Sequence, residues 1–218
     1  LVNAAGVDSH YSAYDAFILR VSEATGCSDE RISITPGNHD AEQKFVIDEK
    51  LLHMEWRENA NDADSINQAY VDGAFEKIIN NKFGQFYELE QYLSSSLLKY
   101  RNSFSSVFRI DVLNIDIVVL NTAVLSSAGA KSLGKDDGKL AVPKFAVRDA
   151  LKVLASNSFR IFATHHPLSL LSENSERYLR STIQKYGNMH LFGHKHDPIT
   201  ASITSFEGDL YSGQAGAL

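Results

Sequence analysis

Phe159-Arg160-Ile161-Phe162-Ala163-Thr164-His165-His166-Pro167 is a short apolar run that ends on two histidines and a proline, and the same device returns at Met189-His190-Leu191-Phe192-Gly193-His194-Lys195-His196. Apolar runs this short, bounded by turn formers, read as buried strands. Between them, residues 176–186 carry helical spacing. Strand, helix and strand, with histidines delivered at the carboxyl end of each strand, is a unit of an α/β layered fold.

The pattern continues outward from this unit. Residues 115–120 are almost continuously apolar and read as a central strand. Residues 107–112 alternate, with Phe108, Ile110 and Val112 on one face, and Leu113-Asn114 supplies the tight turn between the two runs. Pro143 opens a helix to about residue 155, and residues 199–204 and 209–212 read as a closing antiparallel pair. Toward the amino end, Asp8 or Ser9 can cap a helix bearing Tyr14, Phe17, Ile18 and Val21, which Gly26 ends in the left-handed conformation. Residues 31–35 are β-prone and stop at Pro36-Gly37. Residues 42–101 are helical in character, in segments 42–59, 67–80 and 85–100, and read as an insertion or cap over the top of a sheet. Residues 126–138, rich in Ser, Gly, Lys and Asp, read as a mobile loop.

Composition sets outer bounds. A chain of 218 residues with 44% apolar character buries a full core as one domain. Its net charge of −6 gives no electrostatic footprint for nonspecific nucleic-acid binding, so nucleic acid stays open as a partner but is not indicated by charge. Lone Cys27 rules out an intrachain disulfide and suits a reducing, cytoplasmic setting. No run reaches the roughly 18 apolar residues that a membrane span needs. The opening Leu1-Val2-Asn3-Ala4-Ala5-Gly6 and the apolar end at Leu218 read as an excerpt of a longer polypeptide.

Three histidine clusters follow short strands: Gly37-Asn38-His39-Asp40, Thr164-His165-His166-Pro167 and Gly193-His194-Lys195-His196. Residues two apart on an extended chain point the same way, so His194 and His196 can converge on one centre. Neighbours such as His165 and His166 should point to opposite sides, leaving one of the pair to face that centre. Asn38 offers a neutral carbonyl oxygen, and His39 is free to reach a ligand's oxygen. Asp40 either orients His39 or caps the helix that follows. A solvated turn or loop is the competing reading for each cluster taken alone. His10 and His53 read as surface helix residues, His190 as a hydrogen-bonded strand residue, and Cys27 as a small buried apolar side chain.

The order and wording of these clusters resemble the calcineurin-like metallophosphoesterase family, whose later motifs read GNH(D/E), a lone ligand His, and GHxH. The resemblance spans the chain and is weak over residues 42–102. It implies a four-layer αββα sandwich of two mixed sheets flanked by helices, with the helical insertion at about 42–101. On this reading residues 1–218 are a metallophosphoesterase catalytic domain truncated at its amino end and at its carboxyl end. The resemblance further implies two divalent metal ions, with Asn38, His165 and His194 on one and His196 on the other. A mixed nitrogen and oxygen shell favours Mn, Fe, Zn or Co. His39 would be the catalytic residue, stabilising charge or delivering a proton, while Asp40 and His166 would stand behind the ligands or near the substrate. The implied reaction is hydrolysis of a phosphomonoester or phosphodiester by a metal-bridging hydroxide. The implied partners are a phosphoester substrate, a nucleotide among the candidates, and further domains of the same chain, with no membrane. The family's opening pair, Asp-x-His followed by Gly-Asp, which completes the second ion's shell and bridges the two ions, does not occur in that order ahead of Gly37-Asn38 here. The reading from a different class is a degenerate member serving as a binding or scaffold domain. A mononuclear zinc hydrolase using His165, His194 and His196 ranks last, because it explains neither Asn38 nor the motif order.

Overall fold

The computed structural model describes residues 8–94, 96–195, 198–205 and 208–215, the side chains of residues 8–15, 199, 203 and 205 excepted. Its strands are β1 (Leu98–Asn102), β2 (Ser105–Ile110), β3 (Ile115–Leu120), β4 (Phe159–Thr164), β5 (Met189–Phe192), β6 (Ile199–Ser205) and β7 (Gly208–Gln214). Among the described residues they form one seven-stranded mixed sheet in the order β1-β2-β3-β4-β5-β7-β6. Strands β3, β4, β5 and β7 are parallel neighbours, flanked by antiparallel β2 and β1 on one edge and β6 on the other. The chain is therefore a mixed α/β protein. No helix among the described residues is long and apolar enough to cross a membrane.

Register explains which face is buried. Val107, Val118 and Phe162 stand side by side across β2, β3 and β4, and each is fully buried. Burial of each such side chain contributes about 1.5–3 kcal/mol. One residue along, Ile117 and Ile161 point to the opposite face and are half-buried. Helices α4 (Ala63–Val71), α5 (Glu76–Ser94), α6 (Lys144–Leu151) and α7 (Glu173–Tyr186) supply the rest of this core, through Ile66, Ile78, Val147 and Leu179.

The helical stretch is shorter than its sequence suggests. After α1 (Asp8–Thr25), which Gly26 ends at φ +66° as expected, come α2 (Gln43–Asp48) and α3 (Lys50–Glu58), broken at Glu49, and then α4 and α5. Residues 98–101, expected to be helical, belong to β1 instead. The β1–β2 hairpin turns on Asn102, whose Oδ1 accepts the N–H groups of Phe104 and Ser105. Trp56, Phe75 and Phe104 then stack into the shared core, so the helical segment packs directly on the sheet.

Other expectations are corrected by packing. Residues 32–35 make no ladder among the described residues; Ile32 and Ile34 instead pack against Ile18 and Leu93. Val112 does not extend β2, since the chain has already entered a 3-10 turn there and leaves it 91% exposed. The helix after Pro143 stops at Leu151, short of residue 155. The loop at 126–138 is tied down by buried cations. Arg57 donates to the carbonyls of Leu125, Leu133 and Lys135 and pairs with Asp136 at 2.7 Å, while Lys82 Nζ donates to the carbonyls of Val124 and Ser126. His53 is fully buried against this pair of cations rather than on the surface, and Cys27 is half-exposed. The side chain of His10 lies outside the described residues.

Candidate metal centre

Parallel strands gather ligands at their carboxyl ends because each loop there leaves the sheet on the same side. β3 delivers Asn121 and Thr122 to that edge, β4 delivers His165 and His166, and β5 delivers Gly193 and His194. The two histidine-bearing strand ends are pinned to each other, since Gly193 N–H donates to the His165 carbonyl at 3.0 Å. His194 adopts φ +70°, a left-handed conformation uncommon for a residue with a side chain, which turns the chain back over the edge. Gln214 of β7 donates to the Lys195 carbonyl at 2.6 Å and holds the turn from beyond.

The loop carrying Asn38 approaches from the other side. Asp40 folds back so that its carboxylate accepts the Gly37 N–H at 2.8 Å, which closes the turn; the N-cap of α2 is Glu42. Burial lifts the Asp40 carboxyl above its ordinary range, against the lowering effect of that N–H. Gly37 is buried directly on the His165 ring: a Cβ there would stand 2.7 Å from His165 Nδ1. Glycine at this position lets the loop come close enough for Asn38 to reach the strand ends.

Asn38, His165 and His194 converge as the sequence suggested. Asn38 Oδ1 lies 2.8 Å from His165 Nε2, and His194 Nδ1 lies 3.3 Å from the same nitrogen. Donor atoms bound to one ion at about 2.0–2.2 Å stand about 2.8–3.6 Å apart at octahedral or tetrahedral angles, so these separations match those of a ligand set. His166 was expected to face away from its neighbour, yet one ring nitrogen from each of His165, His166 and His194 lies within 4.8 Å of the others. The ladder ends at Thr164, and past the sheet edge the strict alternation of an extended strand no longer holds. His39 is exposed beside the cluster, near enough for its charge to act on His165. His196 and Asp197 lie outside the described residues.

Burial keeps the His165 and His166 imidazoles neutral. Burial pushes His165 down to about 3, helped by the neighbouring His194 and His39. Burial likewise pushes His166 far down, with His165, His194 and Lys82 adding to it. Neutral rings with free lone pairs are the form that binds a cation.

Sequence reading missed the supports. Thr122 Oγ1 lies 2.9 Å from His166 Nδ1 and also accepts the His166 N–H at 3.2 Å. Thr164 Oγ1 donates to the His166 carbonyl and lies 3.0 Å from His190 Nε2, so His190 is the hydrogen-bonded strand residue expected of it. Only the placement of both threonines at strand ends hinted at these roles. Comparison of the chain with protein-family models and with curated proteins finds no match.

Proposed function

We propose that this chain is the catalytic domain of a metal-dependent phosphoester hydrolase of the calcineurin-like metallophosphoesterase type. One observation carries the reading. Asn38 Oδ1, His165 Nε2 and His194 Nδ1, three atoms with lone pairs brought from three separate loops, crowd together, the first and last standing 2.8 and 3.3 Å from the His165 nitrogen. A divalent cation among them would satisfy all three. The donor set of one amide oxygen and imidazole nitrogens fits Mn, Fe, Zn or Co.

Asn38, His165 and His194 would hold one ion, and His196 would serve a second. When bound, the cations would acidify a coordinated water and screen the phosphoryl oxygens. His39 stands exposed beside the cluster, where its ring can donate a proton to the leaving oxygen or neutralise developing charge. The four-layer arrangement belongs to the same proposal, with the seven-stranded sheet as one of its two sheets. A phosphoester, including a nucleotide, is the proposed substrate, and the cytoplasm is the proposed compartment.

The test separates His39 from His194 in the complete natural polypeptide that contains these residues. His39→Ala should keep its metal content but lose about 10²–10⁴-fold in kcat on a bis-aryl phosphodiester. His194→Ala should lose metal. If His39→Ala lost metal while His194→Ala kept it, the roles would be reversed. If neither substitution changed turnover of any phosphoester, the scaffold reading would replace the enzyme.

A further inference from the structure

We infer that His166 is itself a ligand of the centre, joining Asn38, His165 and His194, and that Thr122 is the positioning residue that aims it. The inference rests on the metal-binding part of the proposed function and adds a donor that the motif pattern leaves out.

His166 is fully buried, and its Nε2 has no hydrogen-bond partner among the described residues. An imidazole with one nitrogen buried and unpaired is costly, and such a group calls for a partner. Its ring lies 4.6 Å from the His194 ring and 4.7 Å from the His165 ring, centroid to centroid. The three rings therefore pack together, and one ring nitrogen of each lies within 4.8 Å of the others.

Thr122 decides which nitrogen is left for a ligand. Its Oγ1 sits on His166 Nδ1 at 2.9 Å and takes the His166 backbone N–H at 3.2 Å. With Nδ1 held by the hydroxyl, Nε2 is the atom left over. A hydroxyl oxygen has two lone pairs, so it can accept the backbone N–H and the Nδ1 proton together. That tautomer leaves a bare lone pair on Nε2, which is what coordination requires. Metal-bound imidazoles characteristically donate their other N–H to a neighbouring oxygen, and Thr122 provides one. Thr164 fixes the backbone of the same residue by donating to the His166 carbonyl at 2.9 Å.

The experiment reads metal binding alone. Zn²⁺ is titrated calorimetrically into the 218-residue chain and its variants, and X-ray absorption of the loaded proteins counts imidazoles. His166→Ala should bind Zn²⁺ more than about 100-fold more weakly and show one imidazole fewer than the wild type. Thr122→Val should keep the imidazole count but weaken binding by about 10–100-fold, because it removes the hydroxyl and preserves the shape. Circular dichroism confirms folding, and Thr122→Val carries the test if His166→Ala does not fold. Wild-type affinity and an unchanged imidazole count in His166→Ala would overturn the inference. If His165→Ala and His194→Ala then still lost Zn²⁺, the metal-binding reading would stand without it. If the wild-type chain bound no Zn²⁺, both would fall.

Discussion

Gly37→Ala is the sharpest probe of the geometry around His165. A Cβ built on Gly37 falls 2.7 Å from His165 Nδ1, 2.8 Å from Cε1 and 3.0 Å from Cγ. Ordinary contact begins near 3.4 Å, so the ring must recede by roughly 0.7 Å. Retreat is restricted, because the His165 carbonyl is held by Gly193 N–H and the far side of the ring meets Asn38 and His194. Metal bonds of about 2.0–2.2 Å tolerate displacements of only about 0.2 Å. Zn²⁺ affinity should therefore fall by more than about 100-fold, and stability by about 1–3 kcal/mol from overpacking.

The sign of that change is diagnostic. Gly37 does not have a positive φ, so alanine there suffers no backbone strain, and the loss of unfolded-state entropy would by itself stabilise the fold by about 0.4–1 kcal/mol. Gly84, inside α5 with nothing within 4 Å of its would-be Cβ, serves as the control: Gly84→Ala should stabilise by up to about 1 kcal/mol. Urea unfolding and calorimetric titration read both quantities. In a double-mutant cycle, the cost of Gly37→Ala should nearly vanish in a His165→Ala background. An equal cost in both backgrounds, or wild-type Zn²⁺ affinity in Gly37→Ala, would refute the reasoning.

Two further predictions concern the buried charges behind the site. Arg57→Met should cost about 3–5 kcal/mol in urea unfolding, because it strands Asp136 and leaves the carbonyls of Leu125, Leu133 and Lys135 without their donor; a loss below about 1 kcal/mol would show the loop to be held otherwise. His53, pushed down to about 3 by burial and then by Lys82 and Arg57, should make stability pH-dependent. Above pH about 6.5 both states carry it neutral and it is silent; below that, the unfolded chain takes up a proton that the folded chain refuses, so stability falls by up to about 1.4 kcal/mol per pH unit. Because burial also pushes His165, His166 and His190 down and each adds to the same decline, His53→Phe should remove only its own share of the slope measured between pH 6.5 and 5, and an unchanged slope would remove His53 as a source.

Local pattern carried most of the sheet. The apolar runs of β3, β4 and β5 and the antiparallel pairing of β6 with β7 could be read because strand burial and turn residues are short-range signals. Residues 98–101 could not, since Leu98, Tyr100 and Arg101 suit a helix equally well until Asn102 turns them back onto β2. The packed loop at 126–138 was illegible for a related reason. Its polar residues look solvated, and what anchors them, Arg57 and Lys82, lies in helices far away in sequence. Charged helix residues usually read as surface.

Within the site, histidine spacing located the cluster but pointed His166 away from it, whereas one of its ring nitrogens lies within 4.8 Å of those of His165 and His194. The period-two rule applies while the chain is in a ladder, and His165 and His166 lie just beyond the last ladder pair, Leu120 with Thr164. What orients His166 there is the pair of threonines that follows one strand and ends its neighbour, Thr122 after β3 and Thr164 at the end of β4. Lys82 extends the same support, because its Nζ donates to the carbonyls of Val124 and Ser126, just past Thr122. The opposite end of the sheet is fixed by a fully buried carboxylate. Asp116 receives Arg109 Nε at 2.7 Å, Ser158 Oγ at 2.6 Å and Ala155 N at 2.7 Å, joining β2, β3 and the start of β4. Burial would raise this carboxyl, but those hydrogen bonds and the Arg109 charge outweigh it and hold it below the usual carboxylate range, so it stays charged and fully bonded. The strands are thus fastened by satisfied polar contacts at one end and carry at the other His166 Nε2, a buried nitrogen with no hydrogen-bond partner among the described residues. The buried carboxylate is satisfied by the chain's own groups whereas His166 Nε2 is not, and the proposed cation would supply the partner that this nitrogen lacks among the described residues.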